Sequence, residues 1–241
     1  MALGLSLLFV SAIASGCLYF FIHSSRIIKY VSVFGGAFLM AICFTDMLPE
    51  AFSETDKPHL CSAFVLFGFI IQLIMELISH GGEHGHLHHS DKTSHQPDKS
   101  KQHNPHLLPL MILIGISIHA FFEAMALNTA NGINKPLLIG IIIHNIPVSL
   151  VIVGAFAGIG ASKSKSILML SVFAAMGVAG GAAGHYSDFL IRYSDLVICF
   201  VVGILLHVAV STLFDSASSH RYNLIRFLLV IAAFGLAFLI H

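Results

Sequence analysis

The 241-residue chain alternates long apolar runs with short polar interruptions, and the runs have the length of membrane-spanning helices. A helix needs about 20 predominantly apolar residues to cross the hydrocarbon. Eight stretches meet that measure: 2–22, 31–50, 61–79, 107–128, 136–158, 165–184, 196–214 and 222–240. The runs are continuous and lack the period-two alternation of a transmembrane barrel. The first exceeds a signal-peptide core and has no basic leader, so it reads as a span. The pattern predicts an all-α integral membrane protein with eight transmembrane helices, residues 1–241 forming one polytopic domain.

Composition removes the alternatives. Hydrophobic residues make up 56% and charged residues 10%, against roughly 25% charged in soluble domains. Too few ionic side chains remain to cover a water-facing surface, and disorder or a fibre falls by the same arithmetic. Cys17, Cys43, Cys61 and Cys199 all lie in apolar stretches and form no C-x-x-C pair, so neither a disulfide framework nor a thiolate zinc site is indicated. Formal net charge is zero, which gives no reason to expect a nucleic-acid partner. No nucleotide-binding motif is present.

Basic residues orient the bundle. With the N-terminus outside, inner loops hold Arg26, Lys29, Lys92, Lys99, Lys101, Lys163, Lys165, Arg221 and Arg226, nine of the twelve. Outer loops hold only Lys57, Lys135 and Arg192. Lys and Arg concentrate on the cytoplasmic side of membrane proteins, so both termini are expected outside, in a plasma (inner) membrane.

The longest polar interruption is 80–106, HGGEHGHLHHSDKTSHQPDKSKQHNPH, with eight of the sixteen histidines. Gly, Ser, Pro and charge leave it nothing to pack, so a disordered, His-rich cytoplasmic loop is expected between the third and fourth spans. A flexible chain can gather several neutral imidazoles on a metal, and His84, His86, His88 and His89 are the candidates. A tolerated polar loop with incidental histidines is the alternative.

Ionisable groups inside a span cost roughly 2.5–3.5 kcal/mol for Asp at the helix centre, so each needs an account. In the fourth span, His119 and Glu123 are four apart and point from one helical face. In the fifth, His144 and Asn145 precede Pro147, which should kink the helix. At 1.5 Å per residue, His119 lies roughly 13 Å, Glu123 about 7 Å and His144 roughly 12 Å below the outer edge. Helices joined by a short loop are antiparallel neighbours, so the three side chains can converge. Two imidazoles and a carboxylate suit Zn²⁺ and other first-row divalent ions, and three ligands leave an open position for exchange. The alternative for His119 and Glu123 is a buried pair that merely hydrogen-bonds to itself.

Asp46 and Glu50 belong near the outer end of the second span, and His207 and Asp215 lie in the seventh, Asp215 toward the inner face. They either pass metal along or are solvated helix ends. Gln72 and Glu76, near the inner end of the third span, are placed to snorkel. Gly177, Gly180, Gly181 and Gly184 have the four-residue spacing of close helix packing.

In this order the motifs resemble those of the ZIP (Zrt/Irt-like) family of divalent-metal transporters. GGAFLMAICFTDMLPEAF is similar to its second span, IHAFFEAMALN to its fourth-span metal motif and HNIPVSL to its fifth-span motif. The resemblance covers nearly the whole chain. It implies that His119, Glu123 and His144 hold the principal ion and that Asn145 stands where a second, bridged ion gains a ligand. Three positions depart from the pattern: Val148 replaces a bridging acid, Ala120 an Asn and Ala174 an acid. A single intramembrane site is therefore expected. The implied activity is movement of Zn²⁺ into the cytosol by alternating access without ATP, with Fe²⁺, Mn²⁺ and Cd²⁺ as further candidate ions. Divalent ions and the lipid bilayer are the expected partners, and a homodimer is left open.

Two rivals stand. A cation-diffusion exporter would show about six spans, His-x-x-x-Asp pairs and a soluble C-terminal domain, none of which is read here. An intramembrane metal-dependent hydrolase could use a zinc on His119 and Glu123 to activate water, yet no H-E-x-x-H and no further general base are present. The chain is expected not to be an enzyme.

Overall fold

The computed structural model describes residues 2–22, 24–80, 107–129, 132–214 and 220–240. Residues 81–106 of the expected His-rich loop, with His84, His86, His88 and His89, lie outside the described residues, as does Asp215. The rest is almost wholly helical: α1 (Ala2–Cys17), α2 (Ser25–Ile42), α3 (Leu48–Glu54), α4 (Pro58–His80), α5 (Leu107–Met125), α6 (Lys135–Gly158), α7 (Lys163–Tyr186), α8 (Asp188–Arg192), α9 (Ser194–Phe214) and α10 (His220–Ile240). Among the described residues, seven helices are long and apolar enough to cross a membrane; α10 contributes a shorter apolar stretch, Leu224–Ile240.

Two boundaries differ instructively from the hydropathy pattern. The second span, expected over 31–50, runs continuously over Arg26–Ser53. A π-helical turn at Cys43–Met47 joins α2 to α3, immediately before Pro49, whose ring cannot continue the α-helical ladder. The fourth span stops at Met125 rather than near 128, because the chain enters a short antiparallel ladder. There β1 (Asn128–Thr129) pairs with β2 (Gly132–Ile133), Asn128 opposite Ile133. Gly132 takes φ 113°, a left-handed conformation that glycine adopts without penalty. Asn134 then caps α6, its Oδ1 accepting from the Leu137 amide at 2.7 Å.

The helices form two clusters. α1, α5, α6 and α7 pack on one another, as do α2, α4, α9 and α10, and the clusters meet through α2 against α6 and α4 against α5. The glycines of α7 are packing glycines: a Cβ on Gly180 would collide with the Phe121 carbonyl of α5. Arg226 of α10 donates to the Leu213 carbonyl at 2.6 Å and the Thr212 carbonyl at 3.3 Å, capping the end of α9. The exterior is apolar, with Phe67, Ile70 and Leu77 of α4 and Phe238 and Leu239 of α10 exposed. So extensive an apolar exterior fits lipid, since soluble monomers rarely expose large contiguous patches.

Candidate metal centre

α5 places His119 and Glu123 one turn apart on its inward face, with Nε2 and Oε2 3.6 Å apart. α6 brings His144 to the same level, its ring centroid 6.0 Å from that of His119. One ligand atom from each of the three lies within 4.8 Å of the others. The convergence of the three side chains expected from α5 and α6 is therefore present. All three side chains are buried, Glu123 with only 1% of its surface exposed.

Three of their atoms, His119 Nε2, Glu123 Oε1 and His144 Nδ1, have no hydrogen-bond partner. Such orphaned buried atoms cost about 1–3 kcal/mol each. A pair that satisfied itself would leave no such atoms, so the geometry runs against a self-contained His119–Glu123 hydrogen bond. Imidazole nitrogens with one carboxylate oxygen form a donor set suited to a first-row divalent ion.

Gln72 of α4 orients the first ligand. The His119 Nδ1–H donates to its Oε1 at 3.3 Å, and an amide oxygen can only accept. The proton is thereby held on Nδ1, leaving the Nε2 lone pair for an ion, the arrangement by which outer partners fix ligating histidines. Gln72 was expected to snorkel; instead it turns into the bundle. The overlooked signal is an amide inside an apolar run, which needs a partner.

The surroundings of the three ligands differ on their two sides. One side opens into a cavity of about 320 Å³, walled by His119 and His144 with Gln72, Glu76, Ser32, Ser211, Thr212 and Val148 among others. The other side holds a void of only about 10 Å³, lined by Glu123 and Asn145 with Ala120, Ala124, Ala174 and Gly177. Asn145 thus shares its space with Glu123, and the departures Ala120 and Ala174 face the same void.

Asp46 and Glu50 do not join the ligand group. Both carboxylates accept from Asn134 Nδ2, at 2.6 and 3.2 Å respectively, beside the α5–α6 turn. Sequence alone missed Asn134, whose partners lie more than eighty residues away. His207 also stands apart, 3.4 Å from Glu76 by Nδ1 to Oε2 and edge-on to Phe69.

The profile of a family described as ZIP Zinc transporter matches residues 1–107 and 79–241, together the whole length. The chain belongs to the ZIP zinc transporter family. A comparison with curated proteins finds no match. As a ZIP protein it is a multi-pass membrane transporter of divalent metal ions and not an enzyme. His119, Glu123 and His144 converge into a buried group that could hold a metal ion.

Proposed function

We propose that this ZIP protein moves Zn²⁺ into the cytosol by alternating access, binding one ion at a time through His119, Glu123 and His144. The observation that carries the reading is that His119 and His144, grouped with Glu123, line the 320 Å³ cavity. The cavity's other walls come from the start of α2, the end of α4, the start of α5, the second half of α6 and the end of α9. Those helix ends lead to the loops that hold nine of the twelve basic residues. By the positive-inside rule the cavity faces the cytosol, and both termini lie outside. On this reading α10 is the eighth span, the host is the plasma (inner) membrane, and this conformation is the inward-facing one.

The chemistry follows from charge and solvation. A dication entering a low-dielectric site loses hydration, and the Glu123 carboxylate offsets one of its two charges while the imidazoles replace water ligands. Fewer protein ligands than the ion can take leaves a position for water, which keeps release into the cavity fast. A second ion within about 4 Å needs bridging carboxylates to offset dication repulsion. Glu123 is the one carboxylate on the small void; Asn145 is a neutral, weaker donor there, and Ala174 offers nothing.

Uptake of a panel of divalent ions into sealed vesicles tests this. Zinc accumulation that is ATP-independent and competed by Cd²⁺ is expected; loss of zinc from loaded cells on expression would reverse the direction. A cysteine at Ser94 should be labelled only after permeabilisation and one at Asn131 on intact cells; the converse would invert the topology.

A further inference from the structure

α4 and α9 lie backbone against backbone. A Cβ on Gly203 would collide with the Val65 carbonyl, and one on Gly68 with the Phe200 carbonyl. Along this seam the facing pairs advance by four residues on both helices: Cys61 with Cys199, Val65 with Gly203, Phe69 with His207. A step of four keeps residues on one face, so the two helices run parallel and in constant register. At the first rung both thiols are fully buried, and Cys61 is the side-chain neighbour of the Cys199 thiol. No disulfide joins them in this structure.

We propose that Cys61 and Cys199 are a disulfide-forming pair that staples the head of the α4–α9 seam. A disulfide requires Cα atoms about 4.4–6.8 Å apart, and the glycine contact one turn along, Gly203 on the Val65 carbonyl, brings the two backbones close together. Both residues lie in the first two turns of their helices, within reach of opening at the helix ends. Cys17 and Cys43 belong to other elements, the end of α1 and the π turn after α2, so the pairing is specific. Bond formation removes two protons and two electrons from the thiols, which an external disulfide takes up by exchange to become two thiols. On the inward orientation proposed above, this end of the seam faces outside, where disulfides persist; the thiol geometry itself does not depend on that orientation. The same seam continues to His207, beside Glu76 on the cavity wall, so the staple ties together two helices that flank the cavity.

Diamide, a diazene reduced to its hydrazine as it accepts the two electrons and two protons, provides the test on full-length protein in native membranes. After acid quench and denaturation, remaining thiols are tagged with a polymer-linked maleimide that retards the band. Untreated protein should take four tags and treated protein two, at monomer size, with reductant restoring four. C61S and C199S should each keep all three tags after diamide, whereas C17S/C43S should lose both of its own. Four tags on treated wild type, an undiminished loss of two tags in C61S, or a crosslinked dimer would each overturn the proposal. Thiol counting is independent of metal uptake, so its failure is distinguishable from failure of the transport reading.

Discussion

The two sides of the His119–His144 level are built from different residues and do different things. Toward the ends of α4 and α9, Gln72, Glu76, Ser32, Ser211 and Thr212 surround a cavity large enough for a hydrated ion. Toward the α5–α6 turn, Ala120, Ala124, Ala174 and Gly177 close the space to about the size of one water. The closed side is filled by these small residues together with the buried Leu8, Ile141 and Phe173, and nearby the backbones of α5 and α7 meet at Gly180 on the Phe121 carbonyl. Among the residues lining this void only Glu123 and Asn145 carry side-chain oxygen, which is the ground for expecting a single ion.

The comparison breaks most severely at the ligands themselves. His119→Ala, Glu123→Ala and His144→Ala should each reduce zinc uptake to background while the protein stays in the membrane. That loss should exceed the roughly 10–100-fold typical of outer-shell changes. Normal uptake by all three variants would mean that the ion takes another route.

A smaller effect is expected on the open side. Gln72→Met removes the acceptor that holds the His119 proton on Nδ1 and should weaken zinc binding by about 10–100-fold. Isothermal titration of the purified variant checks this; unchanged affinity would make Gln72 a cavity lining and nothing more.

The closed side can be sharpened by adding what it lacks. Ala174→Glu, in the void with Glu123 and Asn145, should raise bound zinc from one ion to two per bundle or tighten the first. Val148→Glu, on the cavity side, should do the same only if its carboxylate reaches Glu123's ion. Elemental analysis of protein lacking residues 84–103 gives the number. Two ions in the otherwise unmodified bundle would contradict the single-site reading.

The smallest expected effect lies at the α5–α6 turn. Asn134→Ala removes an N-cap, typically worth about 1 kcal/mol, and frees Asp46 and Glu50 from a shared donor. Thermal stability in detergent should fall by a few degrees with zinc affinity unchanged; a changed affinity would place these carboxylates within the metal route.

Local sequence carries what depends on solvation and helical period. Continuous apolar runs specify spanning helices because the hydrocarbon leaves their backbones no other partner. A four-residue step puts His119 and Glu123 on one face, and a short turn sets His144 opposite them. Those facts are legible because each is decided within one helix or one hairpin. Gln72 on His119, Asn134 between Asp46 and Glu50, and Cys61 against Cys199 are decided otherwise. Each joins residues between 47 and 138 positions apart in sequence, through the rotation and depth at which whole helices dock. Rotation and depth come from small-residue packing such as Gly180 on Phe121 and Gly203 on Val65. No apolar pattern fixes them, because in lipid every face of a helix is free to be hydrophobic.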